Sequence, residues 1–436
     1  MQTHKQKATV LSFLFMGLGQ LYNRQWTKGI LLLSIGVTGL LLSLFYGIEK
    51  LTGLITLGDQ PRGMVEVDGI FQVVDGDHSI FFMVKGLIAL LLMLLLFLVY
   101  ILNVRDARFT GGTRDQGEPV ESFPAMLRRW KEDQFPYMIL AIPFVFVLFL
   151  NVLPIIFSIL IAFTNYAAPV LPPANLIDWV GFENFADLVT LKTWSRTFYG
   201  VFVWTMIWAV LSTFTTFMGG ILVAVLINQK DVKLKKFWRT MLIIPFAIPN
   251  LVSLLVFRNL LNTEFGPINQ YLRYFGLDGL PWLLDPFWAK VTVLMVNMWL
   301  GIPVIMILVT GILTTIPKDL YEAAEVDGAS KVQMFARITM PMIMFSIAPI
   351  LIMQFAANIN NFNVIFLLTN GNPVVSEYQY AGATDLLVTW LYKLTLTNRQ
   401  YNFASVIGII IFIIIAGLSI YNFRKTRSYR EDDMIQ

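Results

Sequence analysis

Eight stretches of the chain are almost entirely apolar, and each is long enough to cross a bilayer as a helix. A membrane-spanning helix needs about 20 mostly apolar residues, and such runs occupy residues 29–49, 80–103, 137–163, 200–227, 238–261, 289–314, 342–366 and 403–422. Apart from the outermost two residues at either end, the runs contain no Asp or Glu and only two strong bases, Lys85 and Arg258. Both bases lie near run ends, where a long side chain reaches the headgroups. The pattern predicts an all-α membrane protein with about eight transmembrane helices.

Composition agrees with this pattern and excludes several kinds of site. Of the 436 residues, 56% are hydrophobic and 14% are charged. A soluble domain has roughly 45–50% apolar residues and about 25% charged residues. The absence of cysteine excludes a disulfide scaffold, a thiol redox centre and a Cys-ligated zinc site. Since His4 and His78 are the only histidines, a histidine-rich metal centre is also excluded. We expect no metal site and no cofactor in this chain.

The distribution of basic residues predicts the orientation in the membrane. With the N-terminus inside, 22 of the 32 Lys and Arg residues fall in the inner segments and nine in the outer ones. Cytoplasmic loops carry such an excess. We therefore expect a multi-pass protein of the cell membrane with both termini in the cytoplasm. The net charge of +4 is spread over short loops as a topology signal, so nucleic acid is not an expected partner.

The chain begins with a segment that superficially resembles a signal peptide. Residues 8–22 are apolar and follow Lys5 and Lys7, but no A-x-A-like cleavage site comes after them. We interpret 8–22 as a short re-entrant or interfacial helix broken at Gly17 and Gly19. The predicted organisation is an N-terminal part (1–28), two accessory spans (29–103), a polar cytoplasmic linker (104–134), a six-helix core (135–423) and a cytoplasmic tail (424–436).

The cytoplasmic segment 315–341, called the elbow below, predicts two helices joined at a glycine. Pro317 suits the first turn of a helix, which should end near Val326 because Gly328 accepts a left-handed exit conformation. Ser330 and Gln333 have the spacing of a capping box. Pro341 is expected to close the second helix before the next span.

The residues of the elbow resemble the EAA signature of ABC-importer permeases, although a generic loop of this kind would simply be a solvated helical loop. The matching residues are Glu322, Ala323, Ala324, Asp327, Gly328, Ala329, Gln333, Phe335, Ile338 and Pro341. The resemblance implies that the elbow is a coupling helix that docks on a cytoplasmic ATPase. The chain has no G-x-x-x-x-G-K-[ST] loop. We therefore expect no enzymatic activity in the chain itself and ATP hydrolysis in a separate subunit.

The seventh run contains carboxamides at helical spacing. Gln354, Asn358 and Asn361 lie at i, i+4 and i+7, which would place them on one face of a helix. They either form interhelical hydrogen bonds, worth roughly 0.6–2 kcal/mol each, or line a transport path. Neutral amides beside Phe355 and Phe362 suit sugar hydroxyls and ring faces better than ions.

The sixth run offers a second polar position. Asn297 and Gly301 lie at i and i+4, and Gly301 followed by Pro303 indicates a close helix approach or a kink. Packing alone would also explain this pattern.

From about residue 135 onward, the chain resembles the larger permease of maltose/maltodextrin importers. The matching motifs are N-x-N-N-F, LLTNGNP, YAGATDLLVTWLYKL and WLG-x-P. The resemblance implies a type I importer core that holds an oligosaccharide in mid-membrane, with Leu300, Gly301, Asn358 and Asn361 at sugar-contacting positions. Gln354, Ala357 and Val304 occupy further contact positions but differ in residue type. The implied partners are a second, smaller permease, two copies of an ATP-binding subunit and an extracellular sugar-binding protein.

Other classes of membrane protein fit less well. The main alternative is an ion-coupled secondary sugar transporter. Intramembrane carboxylates usually mark proton relays, and their absence argues against proton coupling but leaves sodium coupling open. A structural or sensory subunit would not need the elbow. An intramembrane protease would need paired acidic residues or an H-E-x-x-H motif, and the predicted spans contain neither.

Overall fold

The computed structural model describes residues 3–67, 70–229 and 232–424 and divides the chain into two compact units, residues 1–181 and 182–436. Beyond Arg424, the predicted tail lies outside the described residues. The first unit contains α1 (His4–Leu14), α2 (Leu18–Tyr22), α3 (Trp26–Thr56), β1 (Gly63–Val67), β2 (Ile70–Val74), α4 (Ser79–Asp115), α5 (Phe123–Glu132) and α6 (Phe135–Ile161).

The second unit consists of helices in its described part. They are α7 (Glu183–Thr190), α8 (Lys192–Asn228), α9 (Lys235–Ala247), α10 (Asn250–Leu260), α11 (Pro267–Tyr274), α12 (Pro286–Thr315), α13 (Lys318–Val326), α14 (Lys331–Ile359), α15 (Phe362–Leu368), α16 (Leu387–Tyr392) and α17 (Tyr401–Phe423).

The all-α membrane class is confirmed. Seven of the described helices are long and apolar enough to cross a membrane, and the number rises to eight if the pair α9 and α10 counts as one broken span. The pattern of apolar runs does not predict the small antiparallel hairpin of β1 and β2, in which Gly63 pairs with Val74. The hairpin lies between the first and second apolar runs, on the side that the distribution of basic residues predicts to be outer.

The N-terminal segment forms a helical hairpin that packs on the end of α4. It turns at Gly17, whose φ of 87° is readily adopted only by glycine. Gly19 was expected to be a second break, but it lies inside α2. A Cβ at Gly19 would collide with the Ala8 carbonyl oxygen and the Ser12 hydroxyl, so this glycine permits close packing of α1 on α2.

Helix α4 extends beyond residue 103, where the sequence analysis placed the start of a polar linker. It continues to Asp115 because the N-terminal hairpin covers this part of it. The Asp115 carboxylate accepts hydrogen bonds from the backbone N–H groups of His4 (2.7 Å) and Lys5 (3.0 Å), which caps the start of α1.

Pro341 does not end a helix, contrary to the expectation from sequence. Helix α14 runs through it from Lys331 to Ile359. A π-helical turn lies within α14 at Phe335–Thr339, shortly before Pro341. In this turn the Met340 N–H donates to the Phe335 carbonyl. The wider turn changes the backbone pairing where the proline ring would otherwise disturb the α-helical ladder.

The core of the second unit forms where α8 packs against α12 and α14. One apolar cluster includes Trp204, Trp208 and Val296, and a second includes Phe217, Ile305 and Ile347. Glycines allow the close approach, because a Cβ at Gly301 would lie only 2.6 Å from Cγ2 of Thr216. The close approach predicted for Gly301 is therefore present.

Candidate functional site

Two helix breaks in the second unit border a polar cavity. Helices α9 and α10 meet at an angle of 92°, and α14 ends at Ile359 before α15 begins at Phe362. Together with α12, these breaks line an open cavity of about 460 Å³. We call it the Asn cavity; its lining residues are Phe246, Ala247, Ile248, Pro249, Asn250, Leu254, Asn297, Leu300, Gly301, Val304, Asn361, Asn363 and Val364.

Four asparagines supply the carboxamides of the Asn cavity. Asn297 is only 7% exposed, yet its carboxamide bonds to none of the described residues. Asn250 and Asn363 are exposed and equally unpaired within the described part of the chain. Asn361 is partly engaged, because its side-chain oxygen accepts a bond from the Val364 N–H at 3.4 Å and caps α15. An unpaired carboxamide at a cavity wall can both donate to and accept from a bound molecule, so this lining favours a ligand that supplies hydrogen-bond donors and acceptors.

Leu300, Gly301 and Asn361 from the predicted binding set line the Asn cavity, as does Val304. Gly301 lies at the surface of α12 that faces Thr216 on α8. The sequence pattern does not single out Asn250 or Asn363, and packing alone explains Asn297 in that pattern. The available signal was an asparagine next to a proline or to a helix break, as in Pro249-Asn250 and Asn361-Phe362-Asn363.

Gln354 and Asn358 do not line the Asn cavity. The Gln354 carboxamide donates to the Thr216 hydroxyl at 2.9 Å, and that of Asn358 donates to the Thr213 hydroxyl at 3.0 Å. The expectation that Gln354, Asn358 and Asn361 share one continuous helical face is wrong, because α14 ends before Asn361. Asn360 and Asn361 form the break, which redirects the third carboxamide towards the cavity.

The elbow is a separate candidate site. Helix α13 ends at Val326 with Asp327 as its C-cap, and Gly328 has a φ of 77°, which a residue with a Cβ rarely adopts. The Ser330 hydroxyl and the Gln333 side chain form the capping box that starts α14, as predicted. The Tyr321 hydroxyl lies 2.8 Å from that of Thr339 and ties α13 back to α14.

The tip of the elbow is open to a partner. Glu322, Ala323, Asp327 and Gly328 are exposed, while Ala324 and Ala329 are half-buried. Two apolar side chains that the sequence analysis did not single out, Val326 and Val332, are 88% and 76% exposed. Exposed valines beside small residues form an apolar surface of the kind that a helix presents to a groove.

A buried ion pair follows the Asn cavity in the chain. The fully buried Asp385 carboxylate accepts bonds from Lys393 Nζ (2.6 Å), the Thr389 hydroxyl (2.8 Å) and the Gly382 N–H (2.7 Å). Burial raises the pKa of Asp385, and the Lys393 charge opposes that increase. The pair holds the segment between α15 and α16 in place. The YAGATDLLVTWLYKL motif therefore has a structural role that is not evident from the sequence alone.

Comparisons with known proteins agree with this architecture. The family described as "Binding-protein-dependent transport system inner membrane component" matches residues 216–426. The galactooligosaccharides transport system permease protein GanP of Bacillus subtilis is 39% identical over 98% of this chain and 99% of its own length. The maltodextrin transport system permease protein MdxF of the same organism is 36% identical over 99% and 98% of the two chains.

A solved structure with the same core is that of a bacterial ABC transporter involved in the import of the acidic polysaccharide alginate. It is 25% identical and has a TM-score of 0.56, over 69% of this chain and 99% of the other.

Proposed function

The chain belongs to the family of binding-protein-dependent transport system inner membrane components, and it is a permease of an ABC importer, not an ion-coupled secondary transporter. From this premise we propose that it carries neutral oligosaccharides of the maltodextrin type through the Asn cavity. The observation that carries the proposal is the set of four asparagines around one cavity between two helix breaks.

The chemistry of the Asn cavity favours an uncharged substrate. Its lining contains no Lys, Arg, Asp or Glu among the described residues. A carboxamide offers one acceptor and two donor hydrogens, which matches sugar hydroxyl groups. An acidic sugar would leave its carboxylates without a cationic partner at a high desolvation cost. Maltodextrins and galactooligosaccharides both satisfy this requirement, and the first class is the one that the sequence motifs imply.

The path from the elbow to the Asn cavity is a single helix. Helix α14 begins at Lys331, directly after the elbow, and ends at Ile359, beside the break that carries Asn361. At about 1.5 Å per residue it is roughly 43 Å long. The bonds from Gln354 and Asn358 to α8 fasten the far end of this helix. A displacement of the elbow is thereby carried to the cavity wall as a rigid-body movement.

The proposed assembly supplies what this chain lacks. Two ATP-binding subunits hydrolyse ATP, and one of them docks on the elbow through Glu322, Gly328 and the exposed valines. A second permease completes the transport path, and an extracellular binding protein delivers the sugar. The elbow and both termini face the cytoplasm in this proposal.

Uptake by the reconstituted complex tests the proposed substrate. Labelled glucose oligomers of graded length are offered with and without ATP, with galactooligosaccharides and alginate oligomers as competitors. We expect ATP-dependent uptake of glucose oligomers that alginate oligomers do not inhibit. Uptake that persists without ATP, or that alginate oligomers inhibit at equal concentration, would contradict the proposal.

Substitutions in the elbow test coupling. Gly328→Val places a Cβ where φ is 77°, at a cost of about 1–2 kcal/mol, and Glu322→Ala removes a charge from the docking surface. Both should abolish substrate-stimulated ATPase activity while the chain still inserts into the membrane. Lys318→Ala, at the other end of α13, is the matched control. Normal sugar uptake in both elbow variants would refute the coupling role.

A further inference from the structure

An apolar groove between α3 and α4 ends at two lysines. Its volume is about 690 Å³, and it lies within the first unit. We propose that this groove binds one anionic phospholipid, with an acyl chain along the helices and the phosphate between Lys50 and Lys85. The proposal does not depend on the identity of the transported sugar.

The groove follows one face of each helix. On α4 it is lined at positions 85, 88, 89, 92, 93 and 96, which is the spacing of a single helical stripe. Small residues of α3, including Gly39, Ser43 and Gly47, form its floor. Contacts at the two glycines keep the helices together, because a Cβ at Gly39 would lie 2.6 Å from Leu96 and one at Gly47 would collide with Met93.

The length of the groove matches one leaflet of a bilayer. The stripe on α4 from position 85 to position 96 covers about 16 Å at 1.5 Å per residue. Half of a hydrocarbon core of about 30 Å is about 15 Å. The groove is therefore about as long as one acyl chain.

Both lysines lie at the same end of the groove. A Cβ at Gly86 would lie 2.7 Å from the Lys50 carbonyl oxygen, so Lys50 and Lys85 belong to adjacent turns of the packed helices. No acidic oxygen in the described part of the chain lies within 4 Å of Lys85 Nζ, while Lys50 pairs with the exposed Glu49 at 2.6 Å. This end of the groove carries a net positive charge, which complements a lipid phosphate with an anionic headgroup. A zwitterionic lipid offers no such net charge.

Lipid retention by the complete transporter tests the proposal. The purified complex is loaded with phosphatidylglycerol or with phosphatidylcholine of identical acyl chains, and native mass spectrometry counts the lipids that remain bound. We expect the wild type to retain one more phosphatidylglycerol than the variant Lys50→Gln/Lys85→Gln, with about fivefold weaker binding for each lysine lost. Lys192→Gln, which removes an exposed lysine of the second unit, is the matched control.

Two further variants separate the headgroup from the acyl chain. Ala89→Leu fills the groove and should prevent retention at this position for both lipids, whereas Lys50→Arg/Lys85→Arg should keep the phosphatidylglycerol preference. If the double Gln variant does not assemble, Lys85→Gln alone replaces it. Equal retention of both lipids by the wild type would overturn the proposal. So would unchanged phosphatidylglycerol retention in the Gln variant, or a cross-link from Ala89→Cys to a helix of another subunit.

Discussion

The N-terminal hairpin and the Asn cavity both contain several carboxamides, and the hydrogen bonding of these groups differs. In the N-terminal hairpin, buried Gln20 donates to the Asn103 carbonyl and to the Asp106 carboxylate, both at 3.0 Å, and Asn103 accepts from the Gly17 N–H. In the Asn cavity, Asn297 and Asn363 have no partner among the described residues. The first arrangement uses its polar groups to hold the fold, and the second leaves them available to a ligand.

Asn297 should give the largest effect on transport. Asn297→Leu keeps the branched shape of the side chain but removes a hydrogen-bond donor and acceptor from the cavity wall. We expect uptake of glucose oligomers to fall by about 100-fold or more, with normal assembly of the complex. The measurement is initial uptake per assembled transporter, with Leu294→Ile on the same helix as the control. Unchanged uptake would show that Asn297 only packs.

Gln20 tests the opposite arrangement. Gln20→Leu leaves the Asn103 carbonyl and the Ser12 hydroxyl without their partner, at a cost of about 2–3 kcal/mol. We expect a lower thermal midpoint of the complex and normal uptake per assembled transporter. Thr9→Val, which removes only a bond within α1 from the Thr9 hydroxyl to the Lys5 carbonyl, serves as the control. If the thermal midpoint is unchanged and uptake is lost, the hairpin has a transport role that its bonding does not indicate.

Substitution of Asn250 or Asn363 should reduce uptake less than substitution of Asn297. Both side chains are exposed, so water can replace part of the hydrogen bonding that they offer to the sugar. Asn250→Ala and Asn363→Ala should each lower uptake by about tenfold, which corresponds to about 1.4 kcal/mol. The ratio between short and long glucose oligomers should also change. A competition assay with two oligomer lengths measures this ratio, and Asn259→Ala, outside the cavity on α10, is the matched control. A constant ratio would place both residues outside the binding surface.

Gln354 should give the smallest effect of the four. Its bond to Thr216 joins two helices, and such bonds contribute about 0.6–2 kcal/mol. Gln354→Leu should lower the thermal midpoint slightly and leave the substrate preference unchanged; Thr216→Val should have the same effect. A changed preference in Gln354→Leu alone would support the sugar contact that the family resemblance implies.

Local rules were sufficient for several elements. Ser330 and Gln333 predicted a helix start, and Gly328 predicted a helix end, because capping depends on residues within one turn. The same rules misplaced the effects of Pro341 and Gly19. A π-helical turn absorbs the first, and the second serves the approach of a neighbouring helix, which no spacing within a single segment reveals.

The amino-acid sequence by itself determined that the chain lies in a membrane as a set of apolar helices with an exposed helical elbow. These properties follow from hydrophobic run length and local capping, both of which act over short distances in sequence. Only the tertiary structure decided which amides face a cavity. Asn361 lines the cavity because α14 ends at Ile359, and Asn250 lines the same cavity as Asn297 at the 92° bend between α9 and α10. Hydrogen bonding depends on which neighbours are within about 3 Å, and packing between distant segments sets those neighbours.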